Sequence, residues 1–481
     1  MGDEKQQSNA ELEACLGWAQ REFGEVDLGD VRRTRRLVAS MGKMLNDPGR
    51  SIPELSPSWS ECKGFYRLLD HPALSAEVIL EAHREGTLHR ASGCGEKVLL
   101  AVQDTTTLNF SSREKLEGRG PIGGSEKTTG LHLHNTLLIG AQSGKVFGLL
   151  GAKIYARSPK TRKQQPPGSR NREPIEQKES HRWIESFGLA VDCAKRLRSE
   201  ESEALVVSVG DREADIYELL KEAREHREQG VGLLVRSQHN RALCGDSGRL
   251  WDDLEKSPRQ GRLKLKVPRT RGIQAREVEL SIRFKEVEIQ VPAHKQKYLG
   301  LEGSVRVSIL ELREDGPNGL HWRLLSTEKV ENIADAKRLA GWYAKRWQVE
   351  VLHRVLKSGC RVEDRQMREM KRLKPMIALD LVSACYLMGM ISEARTTPEA
   401  PASAWLEEDE ISALKAYHAK QAAGIETLTV GIAVSWIARL GGHLGRTNDG
   451  PPGAQVLWRG LQKLRTITSA WLAFKEPDTF G

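Results

Sequence analysis

The chain has 481 residues, 39% of them hydrophobic, so at roughly 100–200 residues per domain it holds two to four domains and is no small disulfide-stapled scaffold. Its 74 Lys and Arg residues against 65 Asp and Glu give a net charge of +9, which favours a polyanionic partner without requiring one. The seven cysteines are scattered and show no Cys-x-x-Cys spacing, so neither a disulfide framework nor a cysteine zinc site is indicated, and a reducing cytoplasm fits best.

The N-terminal region is predicted to be helical over residues 11–89, and it has neither the basic leader nor the apolar stretch of a secretory signal. Asp30 is suited to cap a helix from Val31 to Leu45. The first turns of that helix carry four arginines, Arg32, Arg33, Arg35 and Arg36. Because positive charge at a helix N-terminus opposes the helix dipole, these residues favour contact with phosphates, with a solvated charged face as the alternative.

From Lys97 the pattern changes to that of β-strands. Three successive runs, at 98–103, 131–139 and 145–155, predict an antiparallel meander. His132 and His134 alternate along the second run and face one way, but no third soft ligand lies nearby. We therefore expect packed or hydrogen-bonded strand histidines, not a zinc pair.

A Pro-, Gln- and Ser-rich loop is predicted at 157–172, followed by a helix at 176–198. The loop carries six basic residues, Arg157, Lys160, Arg162, Lys163, Arg170 and Arg172. Two interpretations stay open: a clamp that meets DNA phosphates without reading bases, or a solvated connector.

The strand predicted at 204–210 runs directly into Asp211, and helical spacing resumes over 212–220. This is an α/β unit with a carboxylate at the strand end, where open sheets place their chemistry. Asp104 follows the first predicted strand in the same way. Taken singly, an Asp at a strand end is more often a turn former or a helix cap.

Residues 249–327 alternate Lys or Arg with β-branched residues and predict a β insertion inside the α/β domain. The segment that follows, 343–357, is predicted as one helix. Tyr343, Arg346, Glu350 and Lys357 would form one stripe along it. The opposite face would pack into a core through Trp347, Val351, Leu352 and Val355. The alternative is an amphipathic surface helix in which Glu350 merely pairs with Arg346 and Arg354.

The C-terminal region is predicted to be helical, with a break at 394–402 and an amphipathic helix at 456–467. The longest apolar run, 376–391, is interrupted by Asp380 and is short for a bilayer span, so we expect a buried helix and no membrane partner.

Three carboxylates form the candidate catalytic set. Phosphoryl transfer on a phosphodiester uses two divalent ions about 3.5–4 Å apart, and hard cations prefer carboxylate oxygens. In an RNase H-like sheet, Asp104, Asp211 and Glu350 can converge.

The chain resembles the DDE transposases of the insertion-sequence-four family over nearly its whole length. The resemblance rests on the segments 28–38, 64–67, 104–106, 211–215 and 235–239 and on the Tyr-x2-Arg-x3-Glu-x6-Lys spacing that begins at Tyr343. It implies that Asp104, Asp211 and Glu350 bind two Mg²⁺ ions, for which Mn²⁺ can substitute. It also implies DNA contacts through Arg236, Trp322, Tyr343, Arg346, Arg354 and Lys357, with Trp322 stacking on a flipped base. Three positions depart from the family pattern. Arg354 stands where a Lys is expected, Leu131-His132 replaces an aromatic pair, and the 157–172 loop is basic where an acidic one is expected.

The expected fold is α/β, an RNase H-like catalytic core at 91–375 interrupted by a β insertion at about 240–330. Helical domains are expected on either side, an N-terminal domain at 1–90 that binds DNA ends and a C-terminal domain at 376–481 that dimerises. The expected function is cut-and-paste transposition of double-stranded DNA, by a homodimer in the paired-end complex, in the bacterial cytoplasm at the nucleoid. The alternatives are a catalytically inactive, transposase-derived DNA-binding regulator or inhibitor, and a general nuclease.

Overall fold

The fold is known from a computed structural model of the chain. It describes residues 13–123, 127–158, 172–245, 248–267, 276–317, 319–446 and 450–475.

Five helices form the N-terminal region from residue 13, where the described part of the chain begins, in agreement with the predicted helical pattern. They are α1 (Glu13–Phe23), α2 (Val31–Asn46), α3 (Ile52–Leu55), α4 (Trp59–Leu69) and α5 (Ala76–Ser92). Asp30 caps α2 as predicted, because its side chain accepts a hydrogen bond from the Arg32 backbone N–H at 2.8 Å. The opposite face of α2 is buried, including Leu37, Met41 and Met44.

A ten-stranded mixed sheet forms the centre of the molecule. Its strands are β1 (Val98–Asn109), β2 (Gly120–Pro121), β3 (Thr129–Gly140), β4 (Val146–Tyr155), β5 (Leu205–Gly210), β6 (Val231–Arg236), β7 (Gly261–Val267), β8 (Arg276–Gln290), β9 (Ser304–Glu314) and β10 (His321–Ser326). The strand order is β2-β3-β1-β5-β6-β10-β9-β8-β7, with β4 pairing on β3. The predicted antiparallel meander is confirmed in β1, β3 and β4, while β1, β5 and β6 run parallel. The parallel strands give the RNase H-like core.

The predicted β insertion is present as strands, and it extends the same sheet. β10 pairs antiparallel with β6, with Leu324 opposite Arg236, and β9, β8 and β7 follow outward. The insertion therefore continues the central sheet on one side and is not a separate layer.

Helices cover both faces of the sheet. Between the strands lie α6 (Arg182–Ser199), α7 (Tyr217–Glu225), α8 (Leu250–Lys256) and α9 (Ala293–Leu299). One apolar cluster joins Leu99 and Ala101 of β1 to α6, α7 and α8, and we call this side the α6–α7 face. The other cluster joins Leu100 and Val102 of β1 to the N- and C-terminal helices, and we call it the terminal-helix face. Burial on both faces accounts for the nearly continuous apolar runs in β1 and β5.

Two predicted helices differ in their bounds. The helix expected at 176–198 begins only at Arg182, after two short 3₁₀ turns. The helix expected over 212–220 is split into a 3₁₀ turn at 212–214 and α7. Between them Asp215 turns inward, where its carboxylate accepts hydrogen bonds from the Gln238 and His239 backbone N–H groups at 2.7 and 2.9 Å. These two hydrogen bonds join the turn after β5 to the segment after β6.

The remaining helices are α10 (Ile333–Lys345), α11 (Trp347–Arg354), α12 (Met370–Thr396), α13 (Glu408–Tyr417), α14 (Ala419–Ala422), α15 (Val430–Leu440) and α16 (Ala454–Lys475). The predicted break is confirmed after Thr396, and the predicted amphipathic tail helix is α16. Within the described part of the chain, only α12 is long and apolar enough to cross a membrane, and its apolar window is entirely buried inside the protein. The prediction of a buried helix is thus confirmed.

Candidate active site

The sheet places two of the three candidate carboxylates side by side. β1 and β5 run parallel with Val102 opposite Val209, so Asp104 and Asp211, each two residues further on, lie next to each other at the carboxyl ends of these strands. Asp211 directly follows β5, as predicted. Asp104 was expected just after its strand but lies inside β1, because β1 continues to Asn109 along β3.

Glu350 reaches the same place from α11, which a long-range hydrogen bond fixes against the sheet. His353 Nε2 lies 2.7 Å from Asn135 Oδ1, and Asn135 is the cross-strand partner of Asp104. Burial lowers the pKa of His353 to about 3, so its imidazole is neutral at physiological pH. Glu350, one turn before His353, is thereby held on the Asp104 side of the helix.

Arg346 joins two of the carboxylates. Its guanidinium Nη1 lies 3.3 Å from Asp104 Oδ2, and its Nη2 donates to Glu350 Oε1 at 2.6 Å. The side chains of Arg346 and Asp104 are both 17% exposed. One cationic fork therefore sits between two partly buried acids, and Asp211 lies beside them.

Burial and mutual repulsion make Asp104 reluctant to ionise. Burial is the largest cause that raises the pKa of Asp104 to about 6, Arg346 opposes it, and the charges of Asp211 and Glu350 add to it. Because Asp211 and Glu350 raise the pKa of Asp104, the three carboxylates need a cation among them to stay ionised together. In this structure the Arg346 guanidinium takes that position.

The donor set fits a hard divalent cation by its chemistry, because it offers carboxylate oxygens and an unfavourable concentration of negative charge. Among the described residues, no three acidic, histidine or cysteine side chains stand close enough together to hold a metal ion. The Arg346 fork lies between two of the candidate ligands, Asp104 and Glu350. A metal would require Arg346 to release both carboxylates.

Four of the predicted DNA contacts cluster beside the carboxylates. Tyr343 is 5% exposed, its ring meets the Trp322 ring edge to face at 5.0 Å between centroids, and the Arg346 guanidinium lies 5.9 Å from its centre. Arg236 is half-buried and donates Nη2 to the His321 carbonyl oxygen at 2.8 Å. Burial lowers the pKa of Arg236. Trp322 is half-buried on β10 and packs partly into the core.

The prediction of one continuous helix over 343–357 is wrong. α10 ends at Lys345, Arg346 stands at the junction, and α11 is followed by a π-helical turn at 355–359. The turn at the junction is tight, because the Arg346 N–H bonds back to the Tyr343 carbonyl, only three residues earlier. The bend aims Arg346 at Asp104.

The predicted core face of this segment is confirmed except at Trp347. Leu352 and Val355 are buried, and Val351 is half-buried and packs against the same core. Trp347 is half-buried and, with Val351, lines a surface cavity of about 540 Å³. Because a π turn holds more residues than an α turn, the 3.6-residue spacing that placed Lys357 on the Glu350 stripe does not hold to its end.

Lys357 and Arg354 stand apart from the carboxylates. Lys357 lies near His353, whose pKa its charge helps to lower, after burial. Arg354 is exposed, and within the described residues neither Arg354 nor Lys357 forms an ion pair with the triad. Of the two ion pairs that the surface-helix alternative expects for Glu350, the described structure therefore contains only the pair with Arg346.

The N-terminal arginines divide into three exposed side chains and one that braces the helix. Arg33 is half-buried and donates to the Leu28 carbonyl at 2.8 Å. Arg32 pairs with the capping Asp30 at 3.6 Å, and Arg35 is exposed. Arg36 is exposed and lies against Gly64 of α4. Within the described part of the chain, none of these four arginines contacts the three candidate carboxylates.

The expectation for the strand histidines is confirmed. His134 lies 2.8 Å from Thr105 Oγ1 and meets the Trp183 ring edge to face, and His132 stacks on Tyr155. All seven cysteines are free, as expected.

Arg182 is a site residue that the sequence did not reveal. It is 5% exposed, donates Nε to Thr105 Oγ1 at 3.1 Å and donates Nη2 to Glu213 at 2.5 Å. It therefore braces the residue after Asp104 against the turn after Asp211. No local pattern marks it, since its partners lie 77 and 31 residues away in the chain.

Three family models match the chain. Residues 16–74 match "Transposase DNA-binding", residues 160–385 match "Transposase DDE domain", and residues 382–473 match "Transposase Tn5 dimerisation domain". The match to the DDE model includes Asp211 and Glu350 but begins after Asp104. The place of Asp104 therefore rests on the β1–β5 register.

Among solved structures, the chain is similar to a cryo-EM structure of a piggyBac transposase synaptic complex with hairpin DNA. The identity is 10%, the match covers 96% of this chain and 79% of that one, and the TM-score is 0.35. A likeness this weak supports no detail of the site.

Proposed function

Because this chain is a DDE transposase that resembles the Tn5 enzyme, we propose that it binds the two ends of a mobile element as a homodimer and moves the element by cut-and-paste transposition. The observation that carries the proposal is the convergence of Asp104, Asp211 and Glu350, with Arg346 between two of them. A bacterial cytoplasm, at the nucleoid, is the proposed location.

The proposed cofactor is two Mg²⁺ ions, with Mn²⁺ able to replace them. Asp104, Asp211 and Glu350 would hold them, and bound ions supply activation of the attacking oxygen and stabilisation of the leaving oxygen. A cation that takes the place of Arg346 also favours the ionised form of Asp104, whose pKa burial now raises to about 6.

Arg346 would then turn from the carboxylates to a phosphate of the DNA. Its planar fork suits two phosphate oxygens, and Tyr343 and Arg236 lie beside it to bind the same backbone. Arg354 and Lys357, further along, would meet the next phosphates. The N-terminal arginines Arg32, Arg33, Arg35 and Arg36 would bind the element end more remotely.

The proposed reaction has four steps, all at this one site. Water nicks one strand at the element end, and the freed 3′-hydroxyl attacks the opposite strand to close a hairpin. A second water opens the hairpin, and the 3′-hydroxyl then joins the element to target DNA. Each step is an in-line displacement at phosphorus, so one carboxylate set can serve all four.

Trp322 is proposed to stack on a base extruded from the strained hairpin end. Replacement by Ala should remove about 1–3 kcal/mol of stacking and slow hairpin formation and opening roughly 5- to 150-fold, while the first nick is less affected. Single-turnover assays on end DNA, with each intermediate resolved on a denaturing gel, measure this. Trp322→Phe should retain most of the stacking and therefore slow hairpin formation and opening much less than Trp322→Ala.

An equal slowing of all steps in Trp322→Ala, or loss of the folded state by circular dichroism, would instead identify Trp322 as a core residue. A core role for Trp322 is a serious alternative, because Trp322 packs against Tyr343 and the terminal-helix face.

The domain bounds 1–90, 91–375 and 376–481 stay proposals, as does dimerisation through the C-terminal helices. A deletion after Pro451 would remove α16, whose Leu457, Leu461 and Leu464 are buried in the core. Surface changes test pairing better. Ala470 and Phe474 are exposed on α16, and Phe474 is 86% exposed.

Ala470→Arg combined with Phe474→Glu should leave binding of one DNA end unchanged but reduce the two-end complex at least about tenfold, since a charge buried in an interface costs several kcal/mol. Native gels with two end fragments of different lengths measure both species. The matched control is Gln462→Arg with Thr466→Glu, which places the same charges at the same spacing on exposed positions nearer the start of the helix. Normal pairing in the first variant would move dimerisation elsewhere.

The experiment that tests the proposed function uses supercoiled DNA carrying the inverted repeats that flank the gene. With Mg²⁺ the protein should release the linear element, and with EDTA it should not. Binding without cleavage would favour the inactive DNA-binding regulator, and cleavage regardless of end sequence would favour a general nuclease.

A further inference from the structure

A group of basic and aromatic side chains on α9 and the segment before α6 forms a surface outside the site described so far. It consists of Arg172, Lys178, His294, Lys297 and Tyr298, and we call it the α9 patch. Arg172, Lys297 and Tyr298 are exposed, with Tyr298 43% exposed. The Arg172 guanidinium lies 5.0 Å and the Lys297 ammonium 5.3 Å from the centre of the Tyr298 ring.

Three basic side chains of the patch have no ion-pair partner. Within the described part of the chain, Arg172, Lys178 and Lys297 form no ion pair with a carboxylate, and two acids beside the patch pair with other cations, Glu218 with Lys295 and Glu179 with Arg157 and Arg182. The positive charge of neighbouring lysines affects the titration of His294. Burial first, and then Lys295 and Lys178, lower the pKa of His294.

Cations kept close together without acidic partners are stabilised when an anion joins them. Cations held over an exposed aromatic ring are typical of surfaces that track a nucleic-acid backbone, where the ring can meet a sugar or a base. A small anion would not need a patch of this extent.

A short line of contacts joins the patch to the carboxylates. Arg182 donates to Thr105, the neighbour of Asp104, and also donates Nη1 to the Glu179 carbonyl at 2.8 Å. Lys178, a member of the α9 patch, directly precedes Glu179 in the chain. The patch therefore starts close to the carboxyl edge of the sheet where the chemistry is proposed.

The side on which the patch lies distinguishes it from the proposed end-binding residues. α9 is tied to α7 by Lys295 and Glu218, and α7 belongs to the α6–α7 face. The N-terminal arginines, α10 and α11 belong to the terminal-helix face. A duplex that crosses the carboxyl edge of the sheet from the terminal-helix face would continue toward the α6–α7 face, where the patch lies.

We propose that the α9 patch binds the phosphates of the DNA beyond the element end, without reading its sequence. This inference rests on the proposed function. Two sources share that chemistry, the donor DNA that flanks the element before cleavage and the target DNA that enters after it.

Part of the basic loop predicted at 157–172 bears on this proposal. Residues 159–171 lie outside the described residues, so Lys160, Arg162, Lys163 and Arg170 stay as predicted. Of the other two, Arg157 pairs with Glu179, and Arg172 belongs to the patch.

The test is the salt dependence of binding by a triple variant, Arg172→Ala, Lys178→Ala and Lys297→Ala. Each phosphate contact contributes roughly 0.9 to the slope of log affinity against log salt, so the slope should fall by about two to three where the patch is used. The matched control is Lys195→Ala, Arg196→Ala and Arg224→Ala. These residues lie toward the C-terminal ends of α6 and α7, at the opposite edge of the sheet, and remove the same charge.

Three probes separate the outcomes: end DNA with its flank, end DNA cut flush at the element terminus, and random duplex offered to a complex already holding flush ends. A flatter slope on the first probe alone assigns the patch to the flank, and on the third alone to the target. A flatter slope on the flush end, or unchanged slopes on all three, would overturn the proposal. Thermal melting checks that each variant is folded. The single variant Tyr298→Ala should lower the affinity for the same DNA probe that the triple variant binds more weakly.

Wild-type nicking of end DNA with Mg²⁺, measured beside these titrations, keeps the two claims apart. Nicking with unchanged slopes rejects only the patch. Absence of nicking and of end-specific binding rejects the proposed function.

Discussion

Asp104→Asn, Asp211→Asn and Glu350→Gln should each lower the rate of end cleavage by a factor of about 10³ or more, since loss of a metal ligand removes several kcal/mol of transition-state stabilisation. Binding of end DNA should change little, because these carboxylates carry negative charge and are not the groups that attract phosphates. Band-shift and cleavage assays on the same end fragment measure both quantities.

Asp192→Asn is the matched control for the three variants, because Asp192 is 65% exposed on α6 and should leave cleavage at the wild-type rate. Each variant is judged separately. A variant that folds, binds the end and still cleaves at the wild-type rate would remove its residue from the catalytic set.

Asp380→Asn should lower the free energy of unfolding by about 3–5 kcal/mol, because it leaves a buried cation without its partner. Asp380 is fully buried in α12, and its carboxylate accepts hydrogen bonds from Arg365, including one from Nε at 2.9 Å. Arg365 also donates to the Arg50 carbonyl, so the pair joins α12 to the segment after α2. Against a total stability of about 5–15 kcal/mol this loss is large.

Denaturant unfolding of two further variants tests this prediction. Asp364→Asn breaks the ion pair with Arg361, whose side chains are 62% and 59% exposed, and should cost about 1 kcal/mol or less. Replacing both buried partners, Arg365→Met with Asp380→Leu, should recover most of the stability lost in Asp380→Asn. Equal losses in Asp380→Asn and Asp364→Asn would show that the buried pair contributes no more than a surface pair.

Elements with their own apolar pattern could be predicted from the sequence, and those made by long-range pairing could not. The central runs of β1 and β5 are buried on both faces and are apolar throughout, so their type was clear. The far half of β1, with Thr105, Thr106 and Thr107, is half-buried and polar. It is a strand because β3 pairs with it as far as Asn109, and that pairing leaves no mark in the local sequence.

The candidate site divides in the same way. The spacing within 343–357 selected Tyr343, Arg346 and Glu350, because these residues lie close together in the chain. It did not reveal the bend at Arg346, which depends on contact with Asp104 across 242 residues. Arg182 was not predicted as a site residue for the same reason, since its guanidinium acquires a role only when α6 packs beside β1.

Exchange of one ligand for a thiolate tests the claim that Asp104, Asp211 and Glu350 bind the catalytic metal directly. Thiolate is a softer ligand than carboxylate and binds Mn²⁺ better than Mg²⁺. Cys variants at each of the three positions should therefore cleave end DNA with Mn²⁺ but not with Mg²⁺. Undiminished cleavage with Mg²⁺, or no recovery with Mn²⁺ at any of the three positions, would contradict the claim.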